Sequence, residues 1–571
     1  MKVLNRQGLN NYERGGYTMK RKNKQFSCAA LAVAMALGCL TGCVPQKTSS
    51  PAPETTAPAA AKETEEDKPL MNQTGMPIVN APVTYEMAAK SRHNKNFADL
   101  EFFQKLEEET GVHIDWNMSS EDGWKEKKGL LFAGELPDAF YGQGILSDVD
   151  VIKYGTQGML IPLNDLIQEY APNVKKLLDE HPEYQKQLTA PDGNIYSLPS
   201  LTELSPTTHD KLFINKTWLD QLGMKVPETL DEFKETLQAF HDNDLNGDGH
   251  TDDQIPFTFL YNRKENGLYS LFGSFGQLDR GGQVDKNDHF IVKDQKVVYT
   301  PLTEPYRQAI EYFHDLYENQ LIDKEGFTHD FNVYTAKIKA PEKNIGAFMG
   351  WSLTSTAGPN KDDFVPMAPL KGADGKQIWN TYTSAINSKG SFAITNKAEH
   401  PEILMRWVDT HFDPETSLQI DQGLLGRTLE KAADGTYHYL PVPDGKSFTE
   451  MIHDYSPGVN SLGAVTMEIA SKLELNANLQ ERKELDAFYA PYNVPADEIF
   501  PSVFFSMDEV EQISALETDI KAYVDQCYAN WIVNGGIEAE WDGYLKKLDQ
   551  MHVQDYIEIY QKAYDRYQSM D

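Results

Sequence analysis

From Met76 onward the apolar positions follow two rhythms in turn. PIVNAPVTYEM, residues 77–87, reads as a strand, and FADLEFFQKLEEET after it places Phe97, Leu100 and Phe103 three apart on one helical face. Gly111 stops that helix, and Val112, Ile114 and Trp116 then alternate in VHIDW, the pattern of a strand with one buried face. Strand, helix and strand in this order form a βαβ unit, whose strands pair in parallel across the helical crossover. A second helix over WKEKKGLLFAGE and a short strand, DAFY, continue the alternation, so the pattern predicts an α/β domain with a largely parallel sheet.

Farther along, helical spacing dominates. NKTWLDQLG, TLDEFKETLQAF, EPYRQAIEYFHDLYENQ and the long stretch from Asp508 to Gln568 all carry it. In the second of these, Thr229 and Glu232 make a capping box, and Leu230, Phe233, Leu237 and Phe240 mark one apolar face. No repeat of 20 to 50 residues is present, and neither is GxSxG, HExxH, CxxC, GxGxxG or a Walker A sequence. Asp444-Gly445-Lys446-Ser447 ends like a P-loop, but Leu440 stands where its first glycine belongs, and PDGK is a turn sequence.

The N-terminus bears on location. Lys20, Arg21, Lys22 and Lys24 precede an apolar run from Phe26 to Leu40, short for a membrane span and of the length of a signal-peptide core. Leu40-Thr41-Gly42-Cys43 follows at once and resembles the lipobox of bacterial lipoproteins, where cleavage before the cysteine exposes a thiol for a diacylglycerol. Residues 1–42 are thus expected to be a signal peptide, with Met19 as an alternative start, and Cys43 the lipidated first residue of a protein held on the extracellular face of the cell membrane. Three of the four cysteines lie in or at the end of that segment, leaving Cys527 alone in the body as a small packing residue. The net charge is −33, and cleavage would remove seven basic residues and one acidic residue, leaving about −39. Such a charge disfavours nucleic acid and anionic lipid surfaces as partners. Residues 43–75 are rich in Pro, Ala, Thr, Ser and Glu without apolar periodicity, as in a spacer, and the globular body is expected to span 76–571.

One loop stands out. DNDLNGDGHTDD, from Asp242 to Asp253, follows the capped helix and places oxygen-bearing side chains at every second position around a glycine, the arrangement of an EF-hand-type calcium loop. Two registers fit. One starts at Asp242 and reads Asp242, Asp244, Asn246, Gly247 and a final Asp253; the other starts at Asp244 and reads Asp244, Asn246, Asp248, Gly249, then Asp252 and Asp253. Either places glycine sixth.

DLEFFQKLEEETGVHIDWNM, GELPDAFYGQG, DGNIYSLPS, LFINKTWLDQLGMKVPETLDEF, the acidic loop with Gln254-Ile255-Pro256, IGAFMGW and the WIVNGG and EWDGYLKKL ending together make the chain resemble the lipoprotein branch of family 1 extracellular solute-binding proteins, the carbohydrate receptors of ABC importers. The resemblance implies a two-lobed periplasmic-binding-protein fold, type II-like, with a hinge, lobes discontinuous in sequence and an extended helical C-terminal region. It implies the second register for a structural Ca²⁺, held by Asp244, Asn246, Asp248, the His250 carbonyl, Asp252 and Asp253, the last standing where the family usually has Glu. It implies a monomeric, non-enzymatic receptor that takes a sugar or oligosaccharide and serves separate ABC permease subunits. A surface lipoprotein hydrolase of polysaccharide is the alternative, with a peptide receptor third.

A sugar site needs aromatic platforms with polar groups beside them, on loops facing the gap between lobes. Trp351 meets this at the end of the apolar strand IGAFM, ahead of the polar SLTSTAG. Trp379 and Tyr382 in WNTYTS, and Tyr141 after DAF, hold comparable positions, with Tyr85, Glu86 and Arg427 as polar candidates. Trp116, Trp218, Trp407, Trp531 and Trp541 read as core.

Overall fold

The computed structural model describes residues 69–570 apart from 92, 94, 205–207, 209, 262–265, 280–288, 382–383 and 459–460. Strand β1 (Val83–Ser91) and β2 (Val112–Ser120) pair in parallel across the helix Glu101–Thr110, which Gly111 ends in a left-handed conformation. The βαβ reading holds, with one change at its start. Asn96 accepts the Ala98 N–H and closes a separate short turn, Phe97–Asp99, so Phe97 packs from a loop and not from the helix. The packed body also begins before Met76: Met71 is buried and bridges to Val79.

Strand β3 (Ala139–Leu146) takes the other edge of β1, and β4 (Leu198–Thr202) closes the first passage through lobe 1. The chain then enters lobe 2 for β5 (Lys211–Asn215), β6 (Ile255–Thr258), the hairpin β7 (Phe290–Lys293) and β8 (Lys296–Tyr299), β9 (Ile345–Gly350) and β10 (Phe364–Met367). It returns with β11 (Ile386–Ile394), the hairpin β12 (Leu429–Lys431) and β13 (Tyr437–Tyr439), and β14 (Gly463–Val465). Lobe 1 therefore carries a sheet of order β14-β4-β11-β3-β1-β2 in which β11 alone runs antiparallel, and lobe 2 a sheet of order β10-β5-β9-β6 in which only β6 and β9 are parallel. The largely parallel sheet expected from sequence is thus a property of lobe 1.

Each lobe has its own core. In lobe 1 Phe102, Phe103, Leu106, Val112, Ile114 and Trp407 come together; in lobe 2 Trp218, Phe233, Leu237, Phe240, Phe257 and Phe313 do. The C-terminal helical region is three helices, Met507–Asn534, Ile537–Gln550 and Val553–Gln568, and it packs on lobe 2 through Ile520, Tyr528, Trp531, Tyr544 and Tyr556. Gly535 and Gly536, both at positive φ, end the first of these helices and turn the chain into the second. Cys527 is half-buried against this core, and burial pushes its thiol up, which suits a packing residue.

The chain passes from one lobe to the other between β4 and β5, between Trp379 and β11, and between Leu473 and the helix Ala477–Tyr489. A further strap precedes the C-terminal helices: Val503 packs into the lobe 2 core, whereas its neighbour Phe504 packs with Trp124 and Phe140 of lobe 1. There the buried Lys389 of β11 pairs with Asp148 at 2.9 Å, donates to the Val503 carbonyl at 3.0 Å and lies over the Phe504 ring.

Candidate functional site

Strand direction locates the site. Strands β1, β3, β4 and β14 all end on the side of lobe 1 where the chain leaves for lobe 2, at Thr202 and Val465. In lobe 2, Gly350 at the end of β9 pairs with Lys211, where the chain arrives. Both sets of strand ends therefore face the lobe boundary, the position in which open α/β sheets present ligand loops.

On lobe 1 this edge holds a pocket of about 360 Å³, within the size range of small-molecule sites. Lys90 and Ser91 at the end of β1, His93 and Lys95 beyond it, and Gly142 and Gln143 of β3 form one side; Thr449, His453, Ser456 and Ser461 form the other. Phe97 and Leu100 supply the apolar floor. The charges are largely spoken for, since Lys90 pairs with Glu121 at 2.8 Å and Lys95 with Asp454 at 2.9 Å. The His93 and His453 rings lie 3.8 Å apart between centroids. Thr449 and His453 belong to the helix Phe448–His453, which Ser447 and Glu450 cap reciprocally; the DGKS sequence is thus a turn and a helix cap. The pocket offers hydrogen-bonding groups over an apolar floor, suited to a neutral polyhydroxyl ligand.

The aromatic candidates fall in different places. Tyr141 is fully buried one layer behind the pocket, edge-on to Phe97 at 5.8 Å and to Trp116 at 5.3 Å, so it backs the floor and does not line it. Trp379 is 1% exposed; its indole N–H donates to the Asp210 carbonyl at 2.8 Å and its ring packs on Tyr489. It pins together two of the interlobe crossings and presents no face to a ligand. Tyr85 is likewise buried, donating to the His400 carbonyl at 3.0 Å inside lobe 1. Glu86 is exposed and accepts from Asn117 at 2.7 Å, but it precedes Lys90 by four strand residues, roughly 13 Å along β1 and away from the pocket. Arg427 reaches Glu101 at 2.7 Å on the lobe 1 surface, outside the pocket lining. Tyr382 lies outside the described residues, as does Cys43.

Trp351 stands where the strand-end reading puts it. Gly350 makes room for the Thr356 side chain, whose hydroxyl would lie 2.5 Å from a Cβ at this position, as the chain turns out of β9. Trp351 follows half-buried, with the Arg482 guanidinium 4.6 Å from its ring centre, before Ser352 caps the short helix Leu353–Thr356. Sequence reasoning missed Arg482 and every polar residue of the lobe 1 pocket. The pocket-lining types are ordinary, and only strand order brings them to one edge.

The acidic loop leaves the helix Leu230–Asp242, whose Thr229 and Glu232 form the expected capping box. Gly247 and Gly249 both take left-handed φ, and the Asp244 carboxylate accepts both of their N–H groups, at 2.8 and 2.9 Å. Asp248 and Asp253 face one another. Burial, and then Asp248, push the Asp253 carboxyl above its ordinary range, while the His250 N–H holds Asp248 below it. One Asp253 oxygen is buried without a donor. Two opposed carboxylates with an undonated oxygen fit a cation. The six ligands inferred from resemblance are not gathered, however: Asp244 is turned to the glycine N–H groups, and among the described residues no three His, Cys, Asp or Glu side chains converge on one point. No helix among the described residues is long and apolar enough to cross a membrane.

Comparison with known proteins accords with this layout. The chain is 32% identical over 565 residues to the fructooligosaccharide ABC transporter substrate-binding protein FusA of Streptococcus pneumoniae, covering 96% of this chain and 99% of that one. The FusA structure in complex with kestose superposes with a TM-score of 0.72 at 31% identity, over 85% of this chain and all of FusA, and an EF-hand mutant of FusA with fructo-nystose matches with the same score. An HMO-binding, ABC-transporter-associated solute-binding protein of Bifidobacterium longum infantis gives 0.76 at 25% identity, over 85% of this chain and 99% of its own. Lipoprotein LipO of Bacillus subtilis is 25% identical over 59% of this chain and 65% of its own length. Residues 89–416 match the family model described as bacterial extracellular solute-binding protein. With more than half its length matched and a near full-length relative above 30% identity, the chain belongs to the bacterial extracellular solute-binding protein family.

Proposed function

We propose that this protein is an extracellular receptor that captures an oligosaccharide between its lobes and delivers it, unmodified, to the permease subunits of an ABC importer. The observation that carries this reading is the pairing of a polar pocket over an apolar floor at the lobe 1 strand ends with an aromatic ring, Trp351, at the facing strand ends of lobe 2. Such a pair grips hydroxyl groups on one side and the C–H face of a sugar ring on the other. Hinge closure would bring the walls together around the ligand. The likeness to FusA along nearly the whole chain makes short fructooligosaccharides the first ligands to try.

Titration calorimetry with kestose and longer fructooligosaccharides, followed by chromatography of the recovered sugar, tests the proposal. Binding with the sugar returned intact is the expected result. Shorter products would make the protein a hydrolase, and no heat with a broad panel of oligosaccharides would remove the sugar from the reading.

Two further assignments belong here. Cys43 is the lipid attachment point, supported by the lipobox-like sequence and by likeness to a lipoprotein, and intact-mass analysis of membrane-extracted protein should find a diacyl adduct on it. The loop Asp244–Asp253 holds a structural Ca²⁺, supported by its glycine conformations, by the opposed Asp248 and Asp253 carboxylates and by the EF-hand of a related structure. Asn246, Asp248, the His250 carbonyl, Asp252 and Asp253 would hold the ion, with Asp244 joining on release from the glycine N–H groups. The ion would neutralise the loop and fasten the helix Leu230–Asp242 to β6.

A further inference from the structure

Trp351 sits on a turn, and an aromatic platform on a turn is useful only if something keeps the ring in place. Two consecutive residues of one distant helix do so. The helix Ala477–Tyr489 is docked firmly on lobe 2: Leu485 is buried with Phe213, Phe348 and Phe364, and the Tyr489 hydroxyl accepts the Leu212 N–H at 2.9 Å while donating to the Met367 carbonyl at 2.6 Å. From this helix Glu481 accepts the Leu353 N–H at 2.5 Å and the Thr354 N–H at 3.2 Å, gripping the backbone just beyond Trp351. Arg482, next in sequence, lays its guanidinium over the Trp351 ring at 4.6 Å. That distance is inside cation–π range, where Arg stacks by its plane as well as its charge.

Arg482 is otherwise unusual. It is largely withdrawn from water, and burial works against its charge, with Asp486 and Glu481 nearby to compensate. Yet its Nε–H is buried with no acceptor among the described residues. A withdrawn guanidinium with an unused donor is costly unless an acceptor arrives. Beside an aromatic platform, a sugar hydroxyl or ring oxygen is the acceptor of suitable chemistry.

We propose that Arg482 is the positioning and specificity-determining residue of the lobe 2 wall: it fixes the Trp351 ring by stacking and donates its Nε–H to an oxygen of the sugar unit lying on that ring, with Glu481 holding the adjoining backbone. The inference rests on the oligosaccharide reading above and deepens it. Binding energy is then shared between ring and guanidinium, so the two act as one unit.

The test is a set of full-length variants, Arg482→Lys, Arg482→Met, Trp351→Ala and the double variant Arg482→Met with Trp351→Ala, titrated with kestose and read also by Trp fluorescence and thermal unfolding. Arg482→Lys keeps the charge but loses the plane and the Nε donor, so affinity is expected to fall about tenfold in Arg482→Lys and Arg482→Met alike. The double variant should bind no more than a few-fold worse than Trp351→Ala, as expected of coupled residues. Because Trp351 loses its stacked cation, the emission of the unliganded protein should shift in Arg482→Met, a change that fold maintenance alone would not produce while the unfolding temperature stays within a few degrees. Wild-type affinity in a folded Arg482→Met protein would overturn the inference, as would full retention in Arg482→Lys or additive losses in the double variant. Should Arg482→Met fail to fold, Arg482→Lys decides alone. If wild-type protein binds no oligosaccharide, the functional reading itself falls, an outcome separate from these.

Discussion

The lobe 1 wall of the cleft is assembled from several segments, the end of β1 with His93 and Lys95 beyond it, the strand β3, the helix Phe448–His453 and the stretch to Ser461, which together set polar groups over a floor of Phe97 and Leu100. The lobe 2 wall presents one ring on one turn, held by a helix more than a hundred residues away in sequence. On the proposed function, the first would distribute recognition over several replaceable hydrogen bonds, each worth about 1 kcal/mol net. The second would concentrate it. A many-membered wall tolerates single losses and can be retuned residue by residue, whereas a single platform sets whether a ring stacks at all.

The difference can be broken first at the support of the lobe 1 wall. Trp116 packs against Phe97 at 5.2 Å, Phe103 at 4.7 Å and Tyr141 at 5.3 Å, behind the floor of the pocket. Trp116→Ala should therefore lower unfolding free energy by about 3 kcal/mol, the cost of removing a large packed aromatic ring. Denaturant titration checks this. A stable variant with lost sugar affinity would place Trp116 in the wall and not behind it.

The acidic loop Asp244–Asp253 belongs to lobe 2 alone, so the ion proposed there sharpens the comparison. Removing Ca²⁺ with a chelator should lower stability by up to about 2.7 kcal/mol when the ion was held at a hundred times its dissociation constant. Hydrogen exchange should speed up in the helix Leu230–Asp242 and in β6 while β1 to β3 of lobe 1 stay protected. Asp248→Asn with Asp253→Asn should abolish the chelator effect. Unchanged melting and exchange in the wild type would leave the loop a turn built on its glycines.

Trp351→Ala is expected to weaken oligosaccharide binding at least tenfold, about 1.4 kcal/mol, without the stability loss of Trp116→Ala. Titration and unfolding on the same preparation measure both. Equal affinity in a folded variant would take the ring out of the site.

What could be read from the chain follows the same divide. Local patterns gave reliable local structure: the βαβ start, the capping box at Thr229 and Glu232, and the strand-end position of Trp351 all stand in the structure. Tyr141 and Trp379 misled because position relative to a strand or a polar run does not say which way a ring points. Tyr141 points into the aromatic cluster of lobe 1, and the polar run around Trp379 is a crossing between lobes that the indole pins from inside. The lobe 1 pocket was illegible for a deeper reason. His93, Gln143 and Ser461 are common residues with no motif, and they become neighbours only when β1 and β3 pair and the segment after β13 returns to them. Arg482 was hidden likewise, since nothing in LQERKEL hints that one basic side chain lies over Trp351.

The smallest effect expected is also the best probe of a distributed wall. Gln143 lines the pocket beside Gly142 on β3, where its amide can both donate and accept toward neighbouring hydroxyls of a sugar. Gln143→Ala should cost about 1 kcal/mol, a roughly fivefold loss of affinity, because its hydrogen bonds exchange with water when the sugar leaves. Gln143→Glu separates direction from size: it keeps the length of the side chain but only accepts when ionised, so a sugar that mainly accepts from Gln143 should suffer more from Glu than from Ala. Calorimetry on both variants with one oligosaccharide makes the comparison. If Gln143→Ala alone removes binding as thoroughly as Trp351→Ala does, recognition on lobe 1 is as concentrated as on lobe 2. The contrast between the two walls then fails, and the pocket would have a single anchoring contact in place of many.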